Sequence, residues 1–178
     1  QLMAETALQR YGAIDVFFTN GSARMFNHSD HSHKGPEWIG KTEWDLWESL
    51  EERHEENLAF RNLGDLKFEN VSKDWGLGES SMSYACAHGD LDNDGDLDLL
   101  VADLNRPIAI YQNHSKGRSV QLRLRGKKGP GSGIGAYVKV RMGDQFKAMM
   151  LQPSTGFLSC NDPFLHIGMG EAKVLDDV

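Results

Sequence analysis

Cysteine is almost missing: only Cys86 and Cys160 stand in a chain of 178 residues. Two thiols cannot form a disulfide scaffold, and their positions lack the spacing of metal ligands. Cys86 sits in "SYACAHGD", where a small buried thiol is the plain expectation. A bridge between the two is neither required nor excluded. Proline is scarce too, with five residues against 19 glycines. That balance indicates a turn-rich, β-rich chain. No apolar run approaches the ~18–20 residues of a transmembrane helix. No secretory signal is visible, and the chain opens on Gln1 instead of methionine, so a processed or partial chain is expected. Nucleophile–base pairs, phosphate loops and cofactor fingerprints are absent. Gly131, Gly133 and Gly135 imitate a phosphate loop but lack its Lys-Ser/Thr ending and a following helix, as a strand connection would.

Basic charge is short in one half. Residues 1–113 carry 9 basic against 21 acidic side chains and residues 114–178 carry 10 against 5, so the net −7 divides into −12 and +5. The change of sign marks a boundary between two units, 1–113 and 114–178. The acidic unit disfavours nucleic acid. Arg118, Arg123, Arg125, Lys127 and Lys128 either form a solvated strand face or meet a polyanion.

What is present in abundance is aspartate. Residues 90–98 read "DLDNDGDLD", which fits D-x-D-x-D-G-x-x-D. Nine residues with that much negative charge repel themselves unless something neutralises them. A tight loop can point Asp90, Asp92, Asp94 and Asp98 at one centre, with the main-chain carbonyl of Asp96 as a further ligand. Gly95 stands where such a loop turns sharply, at the positive φ that glycine adopts without strain. Carboxylates are hard donors suited to Ca²⁺, with water completing its shell. An EF-hand is disfavoured, because its twelfth position is Val101 and the flanks read as strands.

The strand after this loop, "LDLLVADL" (97–104), has an earlier counterpart in "IDVFFTNG" (14–21). Asp15 matches Asp98, Gly12 matches Gly95, and "LAFRN" (58–62) matches "AIYQN" (109–113). "LGDLKFENVS" (63–72) reads as a hairpin turning at Gly64-Asp65. Short antiparallel strands with one turn signature per copy suggest propeller blades. In the first copy the ligand positions fall on Ala7, Gln9 and Tyr11, so one ion site is expected, not two.

"GDLDNDGDLDLLVADLN" and "FRNLGDLKFENVSKDWGL" resemble the FG-GAP/VCBS repeats of integrin-α-like propellers. The stretch from "SVQLRLRG" through "GIGAYVKV" and "GFLSCNDP" to "LHIGMG" resembles the ASPIC/UnbV domain that follows such repeats in cartilage-acidic-protein-like proteins. The likeness covers residues 7–20, 58–113 and 119–178. It implies an all-β chain, with partial β-propeller blades over 1–113 and then a small antiparallel β domain over 114–178, truncated at its C-terminus; the longer span between the matched strands of the first copy reads as a helical insertion at about 21–57. It also implies an extracellular or cell-surface location, Ca²⁺ in the blade loop, no catalysis, and an extracellular protein or glycan as partner. Propellers close with roughly four to eight blades, so the remaining blades are expected elsewhere in a longer chain.

The insertion contains "KTEWDLWESLEERHEEN" (41–57). Thr42 and Asp45 have the spacing of a capping box, and Trp44, Trp47, Leu50 and His54 fall on one helical face. Such a helix either lies over the propeller or projects to dock a partner. Upstream, "NHSDHSH" brings His28, Asp30, His31 and His33 close together. It reads as an exposed Ser-rich loop or as a transition-metal site. The second reading carries the alternative function, a metal-dependent hydrolase or accessory domain of a secreted enzyme. His88, beside the acidic loop, reads as a strand residue. Asn20, Asn27, Asn70 and Asn113 each begin N-x-S, which fits either glycosylation or the shared preference of Asn and Ser for turns.

Overall fold

A computed structural model describes residues 4–10, 13–21, 39–115, 117–127 and 131–178. The chain forms β1 (Ala4–Arg10), β2 (Ala13–Thr19), a short helix α1 (Glu43–Ser49), β3 (Glu55–Glu56), β4 (Leu58–Gly64) and β5 (Lys67–Asn70). There follow β6 (Ser80–Ser81), β7 (Ser83–Gly89), β8 (Asp98–Asp103) and β9 (Ala109–Tyr111). The remaining strands are β10 (Arg118–Leu122), β11 (Tyr137–Met142), β12 (Gln145–Met150) and β13 (Leu165–Gly170). The fold is mostly β, built from small antiparallel sheets.

β1-β2-β4-β5 form a four-stranded sheet and β7-β8-β9 a three-stranded one. In β2 the side chains of Asp15, Phe17 and Thr19 are buried while Val16 and Phe18 are half-exposed, the period-two alternation of a sheet with one face on a core. Phe18 meets Phe60 edge to face at 5.9 Å on the other face. Phe17 and Ala59 join Val71, Leu77, Cys86, Leu99 and Val101 in one hydrophobic cluster, which ties the two sheets together. A second cluster, Val138, Val140, Met142, Leu151, Leu165, Ile167 and Met169, gathers the hairpin β11–β12 and the pair β10–β13. No helix among the described residues is long and apolar enough to cross a membrane.

Three sequence expectations are corrected here. The β4–β5 turn is centred on Asp65-Leu66, with Gly64 paired to Lys67 as the last strand residue. Both central residues have positive φ, 50° and 59°, which matches the strand twist as type I′ turns do. The helix runs only from Glu43 to Ser49, much less than 41–57. Its capping box does form: Thr42 N–H and hydroxyl donate to Asp45 Oδ2 at 2.5 and 2.6 Å, and Asp45 N–H donates back to Thr42 Oγ1 at 3.3 Å. These bonds hold the Asp45 carboxyl below the usual carboxylate range. The predicted apolar face does not form. Trp44 is 66% exposed and donates to Glu48 Oε1 at 2.9 Å, Leu50 is buried beyond the helix, and His54 is exposed. The side chain of Trp47 lies outside the described set. Finally, Ala7 and Gln9 do not belong to a loop: they pair with Val16 and Ile14 inside the hairpin β1–β2. Tyr11 lies outside the described residues.

Candidate metal centre

The acidic loop spans the eight residues between Gly89 and Asp98, which pair across β7 and β8. Gly95 has φ 94° and Asn93 φ 62°, so the chain reverses twice through the left-handed region. Carboxylates then organise the loop from within. Gly95 N–H donates to Asp90 Oδ2 at 3.1 Å, Asp94 N–H to Asp92 Oδ1 at 3.2 Å, and Asp96 N–H to Asp94 Oδ1 at 3.1 Å. Each is a short-range bond of the kind by which Asp builds turns.

As a result Asp90, Asp92 and Asp94 each bring an oxygen within 4.8 Å of the other two. Asp90 Oδ1 is buried and has no hydrogen-bond partner among the described residues. Among those residues, none of the five aspartates is ion-paired to Lys or Arg. Neutral side chains support them instead: Gln112 donates to Asp92 Oδ2 at 2.5 Å and Gln121 to Asp90 Oδ2 at 2.8 Å. Three hard, anionic carboxylates gathered at this distance fit Ca²⁺, which takes six to eight oxygens, better than metals preferring nitrogen or sulfur.

Asp98 stands outside this cluster of three. It is 2% exposed and accepts two backbone bonds, from Leu91 N–H to Oδ2 and from Asn113 N–H to Oδ1, both at 2.9 Å. The first bond closes the loop and the second locks β8 to the chain leaving β9. Asp96 directs its side chain to Ser115, whose N–H and hydroxyl reach Oδ2 at 3.0 and 3.1 Å. Burial pushes the Asp96 carboxyl above the usual range against the pull of those Ser115 bonds.

The first copy repeats one part of this arrangement. Asn62 N–H donates to Asp15 Oδ1 at 2.9 Å, the same bond at the same distance as Asn113 to Asp98. Asn62 Oδ1 accepts from Gly64 N–H at 2.8 Å as Asn113 Oδ1 accepts from Ser115 N–H at 3.0 Å. Among the described residues the clasp occurs twice and the acidic loop once.

Residues that sequence reading left out complete the surroundings. Ser119 hydroxyl donates to Gly95 O, so β10 grips the loop at two points with Gln121. On the other side His88 N–H donates to Asn161 Oδ1 at 2.9 Å. Burial, and then neighbouring His166, lower the His88 pKa to about 4, in keeping with a neutral strand residue. His28, Asp30, His31, His33 and Asn27 lie outside the described residues. Both cysteines are free thiols. Arg118, Arg123, Arg125 and Lys127 are exposed, and the Arg123 guanidinium lies 5.6 Å from the Phe164 ring centre. Lys128 is outside the described residues. Asn70 and Asn113 form Asx turns with Ser72 and Ser115, and buried Asn20 donates its amide to Glu55 O and Ser81 O at 2.8 and 2.5 Å. Turn building thus accounts for two of the N-x-S triplets.

Residues 126–178 match the model of the ASPIC and UnbV family. No curated protein matches the chain.

Proposed function

We propose that this chain is a calcium-stabilised, non-catalytic recognition module working outside the cell or at its surface. Residues 1–113 would supply FG-GAP/VCBS-type propeller blades and residues 114–178 the ASPIC/UnbV-like domain. The observation that carries this reading is the Asp90–Asp92–Asp94 oxygen cluster, beside which Asp90 Oδ1 is buried and unpartnered among the described residues. The doubled clasp, Asp15 with Asn62 and Asp98 with Asn113, supports the repeat. The change of charge sign near residue 114 and the two separate hydrophobic clusters support the division. Asp90, Asp92, Asp94, the carbonyl of Asp96 and, through its remaining lone pairs, Asp98 would hold the ion. The partner would be an extracellular protein or glycan.

Calorimetric titration with Ca²⁺ and melting curves with and without chelator test the reading. Binding should be one-to-one. At a free ion level about 100 times Kd, occupancy adds roughly 2.7 kcal/mol. Joint replacement of Asp90, Asp92 and Asp94 by Asn should abolish both the heat and the stabilisation. A melting curve indifferent to calcium and to chelator would end the proposal.

A further inference from the structure

Hydrogen bonds from the C-terminal part of the chain, 114–178, converge on one short segment before it. Gln121 Nε2 donates to Asp90 Oδ2 at 2.8 Å, and the Ser119 hydroxyl donates to the carbonyl of Gly95, where the loop turns at φ 94°. Ser115 N–H and hydroxyl reach Asp96 Oδ2 at 3.0 and 3.1 Å, and Asn161 Oδ1 accepts from His88 N–H at 2.9 Å. The two donors on β10 alternate with apolar residues, as the two faces of a strand require. Ser119 and Gln121 meet the loop, while Val120 and Leu122 pack on the second hydrophobic cluster and pair with Ile167 and Leu165 of β13. One strand therefore touches the acidic loop with one face and the second cluster with the other.

We propose that Ser119 and Gln121 are positioning residues for the calcium loop, and that calcium in turn fixes the β10–β13 pair against it. Asp90, Asp92 and Asp94 hold oxygens within 4.8 Å of one another, and without an ion their mutual repulsion favours an opened loop. Two donors oppose that opening at Asp90 Oδ2: Gly95 N–H from inside the loop at 3.1 Å, and Gln121 from β10. Ser119 opposes it at the turn. Removing a partner that orients a metal ligand typically weakens metal binding by about 10–100-fold. A contact that favours the calcium-ready loop is itself favoured by calcium, by the same factor. The coupling depends on the two side chains that a folded β10 presents, not on the tightness of the cluster behind them. It rests on the calcium reading proposed above.

Hydrogen exchange on the full chain, in chelator and at saturating Ca²⁺, reads the coupling, and calorimetry gives the affinity. In the parent, calcium should slow exchange across β10 and β13 as well as in the loop. Gln121→Ala, at an exposed contact, should weaken calcium binding about tenfold. Ser119→Ala combined with Gln121→Ala should abolish the slowing across β10 and β13 at a calcium level that still saturates the loop. Gln112→Ala is the control, because Gln112 holds Asp92 Oδ2 from the end of β9. Its affinity should fall, yet saturating calcium should still slow β10 and β13. The inference falls, and the calcium site stands, if the parent slows only at residues 88–103, if Gln121→Ala keeps the parent affinity, if the double variant slows in full, or if the control loses its slowing too. Absence of calcium binding by the parent removes the functional reading and this inference together.

Discussion

Asp98 separates what the fold needs from what the ion needs. Its two oxygens accept from Leu91 and Asn113 N–H, both at 2.9 Å, in a site only 2% exposed. Asp98→Ala removes both acceptors and leaves two part-buried amides without them. Hydrogen bonds to a charged partner are worth about 1.5–3 kcal/mol each, so the loss should be about 3–6 kcal/mol. That is a large part of the roughly 5–15 kcal/mol that holds a typical domain together. At about 2–4 °C per kcal/mol for a chain of this size, the melting temperature should fall by roughly 10 °C. Asp98→Asn keeps the shape and one acceptor, so it should cost about half as much. The measurement is urea unfolding in chelator, where no ion contributes. A variant within about 1 kcal/mol of the parent under chelator, and weaker only with Ca²⁺ present, would show that Asp98 is chiefly a ligand and that the clasp argument is wrong. Asp15→Ala, which strips the acceptor from Asn62 N–H, provides the matching experiment in the copy without an acidic loop. It should destabilise by about 1.5–3 kcal/mol, equally with and without calcium.

Three other outcomes follow from particular residues. His88 has its pKa lowered to about 4 by burial and by His166; a depressed histidine stabilises the fold fully above its unfolded value of about 6.5 and loses that contribution as pH falls towards 4, at most about 3 kcal/mol. Calcium-free melting curves should therefore decline between those pH values, and His88→Gln should flatten the decline. Leu66 is 95% exposed at φ 59° in the β4–β5 turn; since a side chain there costs about 1–2 kcal/mol and glycine costs roughly 0.5–1 in chain entropy, Leu66→Gly should raise stability by about 1 kcal/mol in urea titration. Ile167, fully buried in the second cluster, should cost about 2–5 kcal/mol when cut to alanine, and calorimetry should find the calcium affinity unchanged.

The strands were legible because alternation around Phe17, Val140 and Ile167 follows the two-residue period of a half-buried sheet. The acidic loop was legible because its spacing and Gly95 are local, and turns are local structures. The helix was overdrawn for a physical reason. Spacing of Trp44, Trp47, Leu50 and His54 gives the period, yet α1 has no basic residue in its last turn, and Glu48, Glu51 and Glu52 gather at its negative end. The macrodipole disfavours that arrangement. The grip of β10 on the loop was not legible at all. Ser119 and Gln121 reach partners 24 and 31 residues away, and no short-range pattern in "SVQLRLR" announces which carbonyl or carboxylate they will meet.

The comparison of the two copies also explains why so much aspartate is tolerated. In the first copy β1 and β2 stay paired as far as Arg10 and Ala13, and the buried Asp15 accepts from the Asn62 backbone N–H. That carboxylate therefore serves the sheet. In the second copy the hairpin opens after Gly89, and the freed residues carry Asp90, Asp92 and Asp94. Backbone N–H groups and two glutamines hold these side chains in place, but dipoles that orient a carboxylate do not cancel its charge. Position 9 of the motif is thus structural in both copies, and the additional charge belongs to the loop alone. Removing the loop charges should leave the β7–β8 pairing intact, whereas removing Asp98 should not.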